Sequence, residues 1–282
     1  MNKLSTEERK AVVAALVEGN SLRSVTRMTG VHRTTIMKLL CNLGRACSEY
    51  QDKVFQNLQC KRVQCDEIWT YVFAKAKNCP AEQKAKGGGD AWTWVAMDAD
   101  SKLVPCWYIG ARNITSAYCF IEDLKSRLAN RVQLTTDSNR VYFSAVPNTF
   151  NDEVDYAMLQ KIYGYSPDEP ITRYSPAICI GARKKVLIGN PDERHVSTSY
   201  VERQNLTMRM SMRRFTRLTN AFSKKLENLE HAVALHYMHY NFCRIHQTLR
   251  VTPAMQAGVS DHVWSLDEMI ALLDIQQAGQ TA

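Results

Sequence analysis

The sequence contains no run of about 18 apolar residues, the minimum for a membrane-crossing helix, and Met1-Asn2-Lys3-Leu4-Ser5-Thr6-Glu7-Glu8 has no apolar signal region. The expectation is a soluble protein that stays inside the cell, in the cytoplasm with the nucleoid, and has no membrane partner. Cysteines are present but lack pattern: Cys41, Cys47, Cys60, Cys65, Cys79, Cys106, Cys119, Cys179 and Cys243 are nine, an odd number, and none forms a C-x-x-C pair. That spacing excludes a disulfide framework and a zinc ribbon, and leaves reduced, mostly buried thiols. Repeats and low-complexity tracts are missing too. With 282 residues, 45% hydrophobic and 23% charged, the chain can build a core large enough to hold buried carboxylates, which excludes a disordered chain or a rod.

Acidic residues are absent from two stretches. Asn20 to Ser48 holds Arg23, Arg27, Arg33, Lys38 and Arg45 with no acid, and Arg203 to Leu226 holds seven basic residues with none. A solvated helix face ordinarily mixes signs to form i,i+4 pairs. Clustered cations of this kind suit phosphate contacts, which give sequence-independent affinity through counterion release. The net charge of +8 agrees, although the clustering says more than the sum.

Periodicity divides the chain. Ser5 to Glu18 reads as a helix with Thr6 as its expected cap, Val12, Val13, Leu16 and Val17 as its stripe, and Gly19 as its stop. Ser21 opens a second helix with Leu22, Val25 and Met28, ending at Thr29-Gly30, and a third starts near His32. Two helices around a tight glycine turn, the second beginning in Arg, Thr and His, form the helix-turn-helix pattern, with a three-helix protein-contact bundle as the alternative. Arg33, Thr34 and Lys38 would face a DNA groove while Val25, Ile36 and Leu40 face the core. The expected division is a helix-turn-helix domain over 1–48, a polar connector of helical character over 49–60, a catalytic core over 61–258 with an irregular insertion at 165–196, and a C-terminal helix and tail over 259–282.

Short apolar runs of period two follow: Arg62 to Phe73, Trp92 to Asp98, and Leu103 to Ile109, with a lysine-rich hairpin loop from Lys75 to Gly89. Ile114 to Leu128 has helical spacing, and Val132 to Thr136 reads as another strand. Helices are expected from Ser199, over Ala221 to Tyr240, and over Val263 to Ile275. Three antiparallel strands, a helix, a further strand and then helices make an α/β fold with a mixed sheet flanked by helices.

Three acids fall at informative places in that layout. Asp66 lies inside the first strand, Asp137 ends the later strand, and Glu202 lies in the first turn of a helix. An acid within an apolar strand is costly to bury unless a partner or cation compensates it. Three acids converging on Mg²⁺ remove that penalty, since hard oxygen ligands suit the ion. Two such ions about 3.5–4 Å apart activate the attacking oxygen and steady the leaving one in phosphodiester chemistry. Each acid also has a structural reading: Asp137 as a turn cap, Glu202 as a helix-dipole residue, and Glu67 as the functional acid in place of Asp66. The helix face adds weight, because Asn205, Arg209 and Arg213 follow Glu202 at i+3, i+7 and i+11. A carboxylate, an amide and two guanidiniums along one stripe suit a helix that reaches a metal at one end and phosphates along its length.

The helix-turn-helix, the spaced Asp66, Asp137 and Glu202, and the block Tyr200-Val201-Glu202-Arg203-Gln204-Asn205 resemble a bacterial insertion-sequence DDE transposase, of the group found in the shortest insertion sequences. Tyr240-Asn241-Phe242-Cys243-Arg244-Ile245-His246-Gln247-Thr248-Leu249-Arg250-Val251-Thr252-Pro253-Ala254 is similar to the tail block of such transposases and of retroviral-type integrases. Together the likeness spans residues 5 to 258. It implies an RNase H-like catalytic core preceded by the small all-α helix-turn-helix domain, Mg²⁺ or Mn²⁺ as a pair of ions, and strand transfer by a terminal 3′-hydroxyl. It implies that Asp66, Asp137 and Glu202 are the metal triad and that Arg209 supports DNA near the site. Many relatives carry a zinc-binding cysteine cluster ahead of the helix-turn-helix, which this sequence does not show, and Ser138 stands where they often have glycine. His246 is left open between a DNA or phosphate contact and a buried histidine bonded to backbone.

The expected function is therefore a DNA transposase that binds double-stranded element ends and target DNA as at least a dimer. Two competing functions would share some of these features. A metal-dependent nuclease or resolvase on the same fold would cut without joining. A helix-turn-helix regulator would bind duplex without cutting.

Overall fold

The computed structural model describes residues 4–164, 178–216 and 219–279. It opens with three helices, α1 (Thr6–Val17), α2 (Leu22–Thr29) and α3 (Arg33–Val54). Ser5, not Thr6, caps α1: its hydroxyl accepts the Glu8 amide while the Glu8 carboxylate takes the Ser5 N–H, a reciprocal capping box. Ser21 caps α2, and Gly30, in the left-handed region at φ 70°, ends it as the turn into α3 requires. Val25, Ile36 and Leu40 are buried, whereas Met28 is 58% exposed and lies off the packed stripe. The third helix runs on past Ser48 to Val54, so the first part of the connector is helical.

The sheet has six strands: β1 (Arg62–Val72), β2 (Gly89–Asp98), β3 (Cys106–Gly110), β4 (Val132–Asp137), β5 (Val154–Gly164) and β6 (Ile178–Ile188), in the order β3-β2-β1-β4-β5-β6. The first three are antiparallel neighbours, β4 lies parallel to β1, β5 parallel to β4, and β6 antiparallel to β5. A three-strand meander followed by parallel strands on its inner edge is the arrangement expected of an RNase H-like core, and the molecule is a mixed α/β protein. Two strands exceed the sequence expectation. In β5, Val154, Tyr156, Ala157, Met158 and Leu159 are all buried, so a strand covered on both faces loses the period-two signal. Within the expected irregular insertion 165–196, Ile178–Ile188 is instead an edge strand, its alternation broken by Gly181 and Arg183-Lys184-Lys185; residues 165–177 of that insertion lie outside the described residues. The expected Lys75–Gly89 loop contains a 3-10 turn at Ala76–Asn78 and the single-turn helix α4 (Ala81–Lys84).

Helices α5 (Ile114–Arg127) and α6 (Tyr142–Phe150) cover one face, where Trp94 of β2 meets Tyr142 edge-on at 5.7 Å. Helix α7 (Ser199–Ser211) lies against β1 and β2, and α8 (Leu226–Met238) packs along α3; α9 (Pro253–Gln256) and α10 (Leu266–Gly279) complete the chain. One apolar core joins these elements, from Val12 of α1 through the sheet to Leu273 of α10. All nine cysteines are free thiols. Among the described residues, no helix is long and apolar enough to cross a membrane.

The tail block is largely structural. Asn241 accepts the Val104 N–H at 3.1 Å and donates to the Val104 carbonyl at 3.0 Å, Tyr240 donates to the Lys102 carbonyl at 3.1 Å, and Phe242 stacks on Phe55 at 5.7 Å. It therefore binds the end of α8 to the β2–β3 connection and to α3.

Contact between α3 and α8 depends on Gly44. A Cβ there would sit 2.3 Å from the His231 carbonyl oxygen and 2.6 Å from the His231 Cβ, atoms fixed in the facing helix. Gly44→Ala gains about 1 kcal/mol of helix propensity but forces the helices apart, an overpacking cost of about 1–3 kcal/mol. We expect a lower urea midpoint at unchanged slope; an equal or higher midpoint would mean that the two helices separate freely.

Candidate active site

Strand β1 loses its β4 partner at a defined point: the parallel register ends at Cys65↔Thr136, while pairing with β2 continues to Val72↔Gly89. Asp66 and Asp137 follow that last pair directly. Asp137 is the last residue of β4, and Asp66, inside β1, stands where that strand leaves its parallel partner, so the two acids meet at the point where the β1–β4 ladder ends. Gln64, two residues before Asp66 and thus on the same face, accepts the amides of Tyr200 at 2.9 Å and Val201 at 3.2 Å. A side chain of β1 thereby caps the start of α7 and fixes where Glu202 stands. One turn later Asn205 donates Nδ2 to Asp66 Oδ2 at 2.9 Å.

Helix α7 carries Glu202 close enough for its charge to raise both Asp66 and Asp137, but among the described residues the carboxylates grouped within 4.8 Å of one another are Asp66, Glu67 and Asp137, without Glu202. Glu202 accepts from the Thr198 hydroxyl at 2.6 Å, and Lys161 of β5 donates to both its carboxylate oxygens. Asp137, Leu159 and Lys161 share the α7 face of the sheet, since Asp137 is paired with Leu159. Glu67 points to the opposite face. Its side chain, 1% exposed, is paired with Arg112 at 3.1 Å and takes weaker contacts from Asn139 at 3.3 and 3.4 Å. Arg112 also reaches Asp137 at 3.5 Å. Carboxylate oxygens of Asp66, Glu67 and Asp137 can all lie within 4.8 Å of one another.

The electrostatics show the strain of that grouping. Burial, followed by the Glu67 charge and then those of Asp137 and Glu202, pushes the Asp66 carboxyl up to about 7. Burial and Glu202 also raise Asp137, against the opposing pull of the Asn139 amide and Arg112. Glu67 is raised by burial and Asp137 despite Tyr142, Arg112 and Asn139. Four carboxylates face two cations, Arg112 and Lys161, so full ionisation leaves two negative charges in excess. The Asn205 carbonyl oxygen is buried with no hydrogen-bond partner beside them. Hard oxygen donors, uncompensated negative charge and an orphaned amide oxygen fit one or two divalent cations such as Mg²⁺.

Other expected positions vary. Arg33, Thr34 and Lys38 are exposed on the first turns of α3, as a groove-reading helix would need. Asn205 lies in the site, and Arg209 is half-buried in the last turn of α7. Arg213 is not on the Glu202 stripe: α7 ends at Ser211, Met212 is extended, and Arg213 opens a 3-10 turn with its side chain exposed. His246 is half-buried beside Lys102 and Arg244, and burial with those two cations lowers its pKa and favours the neutral ring. Its amide donates to the Val251 carbonyl at 2.9 Å, and its Nδ1 is buried without a partner.

Sequence reasoning did not single out Gln64, Arg112, Asn139 or Lys161. Gln64 carries a readable signal, a polar residue inside an apolar strand two positions from the acid. Lys161 belongs to the strand whose periodicity was hidden.

No family model matches the chain, and no curated protein matches it in sequence. Among solved structures, the whole chain aligns with 74% of a chain in a cryo-EM structure of a piggyBac transposase synaptic complex with hairpin DNA, at 10% identity and a TM-score of 0.40.

Proposed function

We propose that this protein is a DNA transposase of the bacterial insertion-sequence DDE kind, with Asp66, Asp137 and Glu202 as the residues that hold its catalytic cations. The observation that carries the reading is the meeting of Asp66 and Asp137 where the parallel β1–β4 pairing ends, beside a helix that carries Glu202 and is bonded to both Gln64 and Asp66. Bound divalent cations would supply Lewis acidity for hydrolysis at an element end and for attack of the freed 3′-hydroxyl on target DNA. The chain's own residues set the geometry. Asn205 orients Asp66, Arg112 spans Glu67 and Asp137, and Thr198 and Lys161 hold Glu202. Arg33, Thr34 and Lys38 would read the element end, and Arg209 and Arg213 would contact the phosphate backbone. Joining two DNA ends calls for at least two copies.

The test is a strand-transfer assay with Mg²⁺ or Mn²⁺ on labelled DNA taken from both flanks of the gene, where a transposase requires a pair of inverted repeats. Joined products support the proposal. Cleavage without joining assigns a nuclease or resolvase, and binding without cleavage assigns a regulator. A separate prediction concerns α3: Arg33→Ala should weaken end binding about tenfold and reduce the log–log salt slope by about 1, as loss of one phosphate contact does. An unchanged salt titration in a fluorescence-anisotropy assay would give the exposed start of α3 another task.

A further inference from the structure

Strands β1 and β2 continue past the acids, and their α5/α6 face continues with them. The helices cover that face as far as the pair Glu67↔Trp94, where Trp94 is buried against Tyr142 and Phe120. Beyond it the face is a row of rings. Trp69 stands directly opposite Trp92, Tyr71 follows at 5.8 Å from Trp69, and Phe222 lies 4.8 Å from Tyr71. Phe222 arrives there because the second acid-free stretch runs alongside the end of β1, with Ser223 bridged to Val72. Trp69, Tyr71 and Phe222 are neither buried nor part of the apolar core.

Each end of the row carries a cation. Arg112, the partner of Glu67, lies 4.8 Å from the centre of Trp92, Lys75 lies 5.6 Å from Trp69, and Lys224 lies 4.4 Å from Phe222. The acids nearby are already engaged: Asp90 accepts the Ala76 amide at 2.9 Å, and Glu82 pairs with Lys86. Rings that offer π-faces, interleaved with cations and starting at a phosphodiester-cleaving site, match the chemistry of an unpaired DNA strand. Every base has a π-face, so stacking tolerates any sequence, while the cations meet the backbone. A duplex hides those faces inside its own stack and would meet only the cations.

We propose that Trp92, Trp69, Tyr71 and Phe222 form a stacking platform for unpaired nucleotides adjoining the scissile end. The proposal rests on the transposase reading for the placement of DNA, but its test needs no catalysis. The probe is a 16-nucleotide single strand containing 2-aminopurine, compared with its duplex, in EDTA at fixed ionic strength. Trp69→Leu/Tyr71→Leu keeps apolar bulk and removes the rings; Trp69→Phe/Tyr71→Phe keeps them. With its stacking rings removed, the leucine variant should bind the single strand about tenfold more weakly or worse. The phenylalanine variant should restore most of that affinity, and duplex binding should stay within about twofold, since the cations are untouched. Should the double leucine variant fail to fold, Trp69→Leu alone is read in the same way. Equal loss on duplex and single strand, or no loss on the single strand, overturns the proposal. Loss of self-association in sedimentation with single-strand binding intact overturns it too, and gives the rings to another copy of the chain. Stacking without metal-dependent cleavage would keep the platform and remove the transposase; cleavage with leucine-insensitive binding would do the reverse.

Discussion

In the Asp66→Asn protein, cleavage of end-bearing DNA should fall by at least about 10³-fold, because the substitution removes a ligand charge, whereas losing only a residue that hydrogen-bonds a ligand costs about 10–100-fold. The shape of the site should survive. An asparagine oxygen can still accept the Asn205 amide that now reaches Asp66 Oδ2, and the exposed face of α3 is remote in sequence from the change. DNA binding should therefore stay close to wild type. Stability should move in an unusual direction. Burial and the neighbouring carboxylates push the folded Asp66 carboxyl up to about 7, against about 3.9 in an unfolded chain. Between those values the folded protein holds a proton that the unfolded chain has released, so folding stability falls as pH rises through this window. Above the upper value the whole deficit is present, on the order of a few kcal/mol. Asparagine carries no such charge. At pH 8 in EDTA the variant should therefore unfold at a higher urea midpoint than wild type, and by pH 4 that difference should vanish. Added Mn²⁺ should reverse the ranking, since it stabilises only a protein that binds it. Wild-type cleavage in the variant, or a thermal shift with Mn²⁺ as large as that of wild type, would remove Asp66 from the cation site.

Much of this site can be read in sequence because its signals are local. Asp66 is conspicuous as a charge among Val63, Cys65 and Ile68, all buried, and Glu202 and Asn205 share a helix face at i+3, which puts the amide where it reaches Asp66. Arg213 shows where such reasoning ends: the same period projected it onto the stripe, but the helix breaks at Met212, where no glycine or proline announces a stop. The remaining site residues depend on tertiary placement. Arg112 follows β3 in an unremarkable turn and gains meaning only because β3 lies two strands from Asp66. Lys161 was hidden with β5, whose consecutive buried residues erase alternation. His246, open in sequence, sits where its block leaves the core: Tyr240, Asn241 and Phe242 are buried, whereas Arg244, Ile245, Gln247 and Thr248 on either side of it are exposed.

Lys161 also sets a condition on cation binding. Its ammonium donates to both oxygens of Glu202, so a divalent ion that takes Glu202 as ligand must displace or share that contact. A charge-assisted hydrogen bond contributes about 1.5–3 kcal/mol, and the 39% exposure of the Glu202 side chain with 27% for Lys161 places this one at the lower end. Lys161→Met keeps the length of the stem and removes the competitor. Mn²⁺ affinity should then rise about tenfold, the equivalent of 1.4 kcal/mol, as read by electron paramagnetic resonance of free ion. The variant without metal should be less stable than wild type, because Asp66, Asp137 and Glu202 then repel one another with one cation fewer. The same variant made in Glu202→Gln should show neither effect, since no carboxylate remains at 202 for the ammonium or the ion to contest. Weaker Mn²⁺ binding in Lys161→Met would reverse the assignment: the lysine would then be what holds Glu202 in a ligand's position, and its loss would free the carboxylate to turn away from Asp66 and Asp137.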